Sequence, residues 1–188
     1  MHHSLRIYSR YREWFLRYYI FQAKWTRLPL IGNLVRKAAN SYGKNASGAY
    51  LLTLQEANEI VDASDGLALG PCTCRTVFKN CENLINTEIM LSVGHNTFIE
   101  EKPHDYAEIT KEQAKDILRQ CHLNGLIHTI IKCRQDFYAI CNCCSCCCVP
   151  LRLNKQYGIG NALVRKRDII EELKASQPSQ SYRPPAPE

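Results

Sequence analysis

Thr110 to Cys148 reads TKEQAKDILRQCHLNGLIHTIIKCRQDFYAICNCCSCCC, and its order of elements decides the fold. Thr110 and Gln113 bracket a capping box, which predicts a helix from there to about His122. Ala114, Ile117, Leu118 and Cys121 recur on one face and should point inward. Asn124-Gly125 is a helix stop. Leu126 to Lys132 then reads as a strand, Arg134 to Asp136 as a turn and Phe137 to Ile140 as the returning strand. Helix, glycine stop and hairpin make half of a winged helix, a scaffold that does not by itself imply DNA binding. The returning strand delivers the chain into a run of cysteines.

That run places Cys141, Cys143, Cys144, Cys146, Cys147 and Cys148 within eight residues. Packing does not produce such a run, because a core strand would use valine or isoleucine. Near neighbours do not readily form disulfides either, since the bridge needs particular separations and dihedrals. A soft metal centre does call for many thiolates in one small volume. A second stretch, GPCTCRTVFKNC from Gly70 to Cys81, adds Cys72, Cys74 and Cys81 in a tight Gly-Pro loop. Together the two stretches hold nine of the eleven cysteines.

Nine thiols suffice for two four-thiolate clusters with one to spare, or for one cluster with bystanders. The simplest arrangement takes Cys72, Cys74 and Cys81 to one cluster with a fourth ligand from the 141–148 run. Alternate residues of an extended chain point to opposite sides, so the run cannot aim all its sulfurs at one centre. Zinc is the alternative, but its sites usually show C-x₂₋₄-C pairs across a longer spacer, unlike this crowding. The bacterial run C-x₂-C-x₂-C-x₃-C-P is absent. Arg75, beside Cys74, is a candidate to hydrogen-bond a cluster or shift its potential. His128, on the strand beside the run, is a candidate supporting donor. Cys121 reads as core and Cys133 as a non-ligand. No nucleotide loop, zinc-protease histidine pair or nucleophile elbow occurs.

Charge is uneven along the chain. Residues 1–48 carry nine Lys/Arg against Glu13, and the remainder fifteen against seventeen acids. Residues 4–26 read as a helix in which Ile7, Tyr11, Trp14, Tyr18, Phe21 and Trp25 share a face, beside Arg6, Arg10, Arg17 and Lys24. Such a stripe ordinarily packs, on the rest of the chain or on a partner subunit. A helix lying on an anionic membrane surface shows the same pattern with a basic polar face, also present here. Basic and aromatic side chains together also suit single-stranded nucleic acid, which nothing else in the chain supports. No export signal or apolar span is seen, so reduced cysteines and a cytoplasmic setting are expected.

Elsewhere, Thr53 to Glu56 is another capping box, opening a helix to about Ser64 with Ile60 and Val61 inward. Leu30 to Ala39 suggests a short helix and Asn40 to Gly48 a loop. Glu82 to Gly94 suggests a helix, Thr97 to Ile99 a strand, and Arg165 to Lys174 a helix. Ser176 to Glu188 has the composition of a disordered tail.

GPCTCRTVFKNC together with ICNCCSCCC, preceded by ITKEQAKDILRQCHLNGLIH, resembles a family of prokaryotic 4Fe–4S ferredoxin-type iron–sulfur proteins of anaerobes. The resemblance spans about Leu51 to Leu153. It implies cluster binding and electron transfer within a larger redox system. Many relatives look to carry a further ferredoxin segment after the CNCC run, whereas no cysteine follows Cys148 here. The expected whole is an α+β protein: a basic helical arm over 1–48, a cluster domain over 49–175 and a tail over 176–188. It would hold one or two 4Fe–4S clusters, with zinc as the alternative, and act as an electron carrier or redox subunit. A redox protein is the expected partner. A zinc- or cluster-stabilised winged-helix-like module or redox-sensing regulator is the alternative function.

Overall fold

The structure, a computed structural model, describes residues 3–45, 47–134 and 136–176. It is α+β. The elements run α1 (His3–Ala23), a 3-10 turn at Lys24–Arg27, α2 (Gly32–Asn45), β1 (Ser47–Leu51), α3 (Leu54–Ala63) and β2 (Leu67–Pro71). There follow α4 (Thr73–Phe78), β3 (Asn86–Leu91), α5 (Val93–Glu101), β4 (Ala107–Glu108) and α6 (Lys111–Leu123). The chain then forms β5 (Ile127–Cys133), β6 (Asp136–Cys143), α7 (Val149–Tyr157), β7 (Val164–Arg165) and α8 (Ile169–Ser176).

Both capping boxes form as the sequence predicts. Thr53 accepts from the Glu56 backbone and Thr110 from that of Gln113, and each partner side chain returns the bond. Asn124 caps α6, and Gly125 takes the left-handed conformation with φ of 70°. The hairpin β5–β6 follows, with Thr129 opposite Cys141 and Ile130 opposite Ile140.

That hairpin sits at the middle of a seven-stranded sheet ordered β4-β2-β3-β6-β5-β1-β7. All the pairings are antiparallel except β1 with β7. One face is covered by α3, α6 and α8, where Ile60, Val61, Leu118 and Ile169 pack on Ile89, Ile130 and Ile140. The other is covered by α1 and α5, where Leu5 and Phe98 pack on Met90, Tyr138 and Ala139. Alternate residues of one strand therefore serve opposite layers.

Four local expectations are corrected. Residues 86–91 form β3 within the stretch expected to be helical. Because both faces of this strand are buried, its apolar residues run continuously and lose the period that marks a strand. Residues 97–99 lie in α5, where burial of Phe98 outweighs the strand preference of Thr97 and Ile99. Helix α2 continues to Asn45, because Gly43 lets its backbone approach the Asn161 carbonyl; a Cβ there would lie 2.7 Å from that oxygen. The last helix starts at Ile169, after β7 has paired with β1. The tail expected over 176–188 falls, beyond Ser176, outside the described residues.

The N-terminal stripe is also revised. Helix α1 does pack inward, but with other residues: Leu5 and Arg12 meet the sheet, Leu16, Ile20 and Ala23 pack against Val149 and Tyr157 of α7, and Ser9 is buried between them. The aromatic stripe lies on the opposite side and faces outward. Trp14 is 58% exposed and Trp25 46%. Two apolar stripes share the helix, and the one with smaller residues besides Arg12 is the one buried in this chain.

Candidate metal centre

The cysteine run begins as strand and ends as a helix cap. Cys141 and Cys143 belong to β6; Cys144 to Cys147 follow as a turn; Cys148 caps the N-terminus of α7, with Pro150 in its first turn. The other stretch is built alike. β2 delivers Cys72 as the N-cap of α4, Cys74 lies in that helix, and Lys79 ends it in the left-handed conformation at φ of 48°. Cys81 follows in the loop to β3.

These two loops meet. The sulfurs of Cys81, Cys144, Cys146 and Cys147 all lie within 4.8 Å of one another. Cys81 Sγ is 3.7 Å from Cys144 Sγ and 3.8 Å from Cys147 Sγ. This cysteine group can hold a metal. Two asparagines brace it: Asn83 Nδ2 donates to Cys81 Sγ at 3.3 Å, and Asn80 Nδ2 to the Cys146 carbonyl at 2.9 Å. Desolvation raises the Cys81 thiol, but bonds from the Asn83 backbone and side chain and from neighbouring thiols outweigh it, bringing Cys81 to about 6. Desolvation and donation to its neighbours push Cys147 up to about 12. One thiolate stabilised by its neighbours is the arrangement a cation captures most readily.

Cys72, Cys74, Cys141, Cys143 and Cys148 form a second group on the α1 side. The thiols of Cys141 and Cys143 influence one another's ionisation, as do those of Cys143 and Cys148, and of Cys148 and Cys74. Cys141 also donates to Glu88 Oε1 at 3.0 Å, and Thr129 Oγ1 lies 3.3 Å from Cys143 Sγ. Donation to Cys143, burial and the Glu88 carboxylate all hold Cys141 well above the ordinary thiol range. These five cysteines, together with Cys144, line one wall of a cavity of about 660 Å³ beneath α1 and α2, whose other walls include Tyr8, Phe15, Tyr19 and Tyr42. Arg12 reaches into the same region from α1 and pairs with Glu88, with Nη1 2.7 Å from Oε2.

Arg75 is buried between the two groups at 1% exposure. Its Nη2 donates to Thr87 Oγ1 at 2.7 Å and to the Asn142 carbonyl. Nε and Nη1 have no hydrogen-bond partner among the described residues. Desolvation disfavours the charge, but the Cys72 side chain, by charge and by hydrogen bonding, and the Cys144 and Cys143 side chains raise the guanidinium's affinity for its proton above the ordinary arginine value. His128 makes its hydrogen bond to Asn142 Oδ1, with Nδ1 at 2.6 Å. Its burial lowers its affinity for a proton. Histidine and arginine thus both grip Asn142, the residue between Cys141 and Cys143.

The arrangement regroups the simplest expectation, because Cys81 joins the later run while Cys72 and Cys74 stand with its ends. Cys121 is buried in α6, packed near Cys144 and Cys147, and its burial raises it to about 11. Cys133 closes β5 opposite Asp136. The sequence reading missed Asn80, Asn83 and Asn142, although polar amides flanking or interrupting a thiol cluster are a usable signal. It also missed the Arg12–Glu88 pair, whose members are 76 positions apart and carry no local mark. Neither a protein-family model, nor a curated protein, nor a solved structure matches the chain.

Proposed function

We propose that the protein is an iron–sulfur electron-transfer protein acting as a redox subunit beside a protein partner. The observation that carries this reading is Arg75. A buried cation needs an anion, and no carboxylate pairs with this one among the described residues. Its unpartnered N–H groups stand among thiols, where metal-bound thiolates would supply the negative charge. The surplus of sulfur favours iron–sulfur chemistry. A structural zinc site takes four ligands, whereas nine thiols lie in two adjoining groups.

In this reading Cys81, Cys144, Cys146 and Cys147 hold one centre. Cys72, Cys74, Cys141, Cys143 and Cys148 supply ligands to a second. A 4Fe–4S cluster supplies one-electron oxidation and reduction. The chain's own residues would hold it beneath α1 and beside α7, limiting water, and Arg75 would set its potential. The resemblance of both cysteine stretches to ferredoxin-type proteins points the same way.

A second reading rests on the compact sulfur spacing. Zn–S bonds of about 2.3 Å put tetrahedral thiolates ~3.8 Å apart, which agrees with the 3.7 and 3.8 Å observed. A cluster carrying its own irons and sulfides holds its ligands wider. Zinc at the Cys81 group would clip the two loops together and make this part of the molecule a structural module.

The deciding experiment is anaerobic purification with iron, sulfide and zinc measured per chain, followed by EPR of the reduced sample. Iron with matching sulfide, about four irons for each cluster, is the expected result. Zinc without iron or sulfide overturns the electron-transfer reading. Zinc at one centre and iron with sulfide at the other would assign the compact group to structure and the cavity group to redox chemistry.

A further inference from the structure

The outward face of α1 is left uncovered by the described residues. Ile7, Tyr11, Trp14, Tyr18, Phe21 and Trp25 follow one another at helical spacing, and each is between 39% and 58% exposed. The surface continues past the 3-10 turn. Leu30 is 95% exposed, Ile31 41% and Leu34 70%. Soluble surfaces rarely keep so many large apolar groups together without a use for them.

Charge selects the occupant. Arg12 is taken by Glu88, and Arg6 and Arg10 by Glu100 and Glu101. Six further cations on α1, α2 and their connection make no ion pair among the described residues: Arg17, Lys24, Arg27, Arg36, Lys37 and Lys44. Glu13 is the acid in this segment. A second copy docked face to face would bring two such sets of cations together. Among the described residues no helix is long and apolar enough to cross a membrane. Tryptophan and tyrosine suit the depth of lipid headgroups, and flanking lysine and arginine suit anionic phosphates.

We propose that the outer face of α1, extended by Leu30, Ile31 and Leu34, is a docking surface for an anionic phospholipid bilayer, on which the protein lies without spanning it. Tyr18 and Trp25 belong both to this face and to the lining of the thiol-walled cavity. Docking therefore brings the rim of that cavity to the lipid surface.

The chain contains two tryptophans, Trp14 and Trp25, and both lie on the proposed face. Intrinsic fluorescence of the full chain, as purified, therefore reports docking directly. The protein is mixed with vesicles of phosphatidylcholine alone or with phosphatidylglycerol added, and binding is read by co-sedimentation and by tryptophan emission. Binding and a blue shift are expected with the anionic vesicles. Both should weaken from about 0.1 M to about 1 M salt, where the screening length falls from about 10 Å to about 3 Å. The double variant Trp14→Asp, Phe21→Asp changes exposed positions and should fold, as circular dichroism would check. It should bind at least about tenfold more weakly, since each aromatic removes a large apolar area from the lipid contact. Lys24→Glu with Lys37→Glu should weaken binding to anionic vesicles while leaving the fold intact. No binding to anionic vesicles at low salt overturns the proposal. So does self-association that blue-shifts the emission without lipid, or undiminished binding by both variants. The readout is independent of metal identity, so failure of the iron–sulfur reading leaves it standing.

Discussion

Cys81 Sγ lies 3.7 Å from Cys144 Sγ, although 63 positions separate them in the chain. A metal held at this pair would join the loop after α4 to the loop after β6. Cys81→Ser and Cys144→Ser should each abolish the metal bound at this centre and leave the cavity group's share intact. Cys133→Ser should retain the full metal content. Asn83→Ala removes a donor to Cys81 and should weaken metal binding by about 10–100-fold, the usual effect of losing a ligand's supporting hydrogen bond. Metal analysis after chelator competition measures all four.

Arg75 gives a prediction about redox behaviour. In the proposed iron–sulfur reading, its positive charge would stabilise the reduced, more negative state of the nearby centre. Arg75→Met should therefore lower the reduction potential and make the centre harder to reduce. Arg75→Lys should recover part of the shift, since it keeps the charge but loses the planar fork. Potentiometric titration with EPR detection checks the order: wild type highest, lysine next, methionine lowest. An unchanged potential in Arg75→Met would confine Arg75 to bracing Thr87 and Asn142.

Much of the centre of the fold was legible because local signals and tertiary structure agree there. Thr53, Thr110 and Gly125 mark helix ends through backbone chemistry that needs no distant partner. The β5–β6 hairpin follows from the same kind of signal. Strand β3 was hidden because Ile89, Met90 and Leu91 are buried in two different layers, which erases the alternation. The inner face of α1 was hidden because its buried stripe contains Ser9 and Arg12, which sequence patterning assigns to solvent. The existence of a thiol centre was readable from the run itself. Its partition was not, since it depends on the turn at 144–147 folding back towards Cys81 while Cys148 returns to Cys74. Only the tertiary path of β2 and β6 sets that division.

The Arg12–Glu88 pair binds α1 to the centre of the sheet in a buried setting. Removing one partner leaves an uncompensated charge, which typically costs about 3–5 kcal/mol. Arg12→Met and Glu88→Met should each approach that loss. The double variant should be less destabilised than the sum of the two, because it leaves no buried charge behind. Urea denaturation of the four proteins supplies the cycle.

Gly94 tests how closely α5 approaches β6. A Cβ built at Gly94 would lie 2.0 Å from the Tyr138 carbonyl oxygen, a backbone atom that cannot swing aside. Gly94→Ala must separate the helix from the strand and should cost about 1–3 kcal/mol through overpacking. Gly125→Ala meets no such wall, and its penalty comes instead from the left-handed backbone. Thermal unfolding should rank Gly94→Ala as the more damaging of the two.

Glu56 predicts a pH dependence with a definite sign. It closes the α3 capping box and forms a two-pronged ion pair with Arg165 of β7, with Oε2 2.7 Å from Nη1 and Oε1 2.6 Å from Nη2. The bond to Arg165 holds its carboxyl below the usual range. A depressed folded-state value means that the pair's stabilisation is complete above the unfolded carboxyl's value of about 4.3. It is lost as pH falls through the lower folded value. Glu56→Gln keeps an amide oxygen for the Thr53 backbone but loses the ion pair, and should cost about 1 kcal/mol at neutral pH. That gap should narrow as pH falls below about 4.3 and close once pH has dropped below the folded carboxyl's depressed value, where the wild type is itself protonated. Urea midpoints for both proteins at several pH values measure it. A gap that stays constant across the range would assign the loss to the cap and packing, with no contribution from the Arg165 charge.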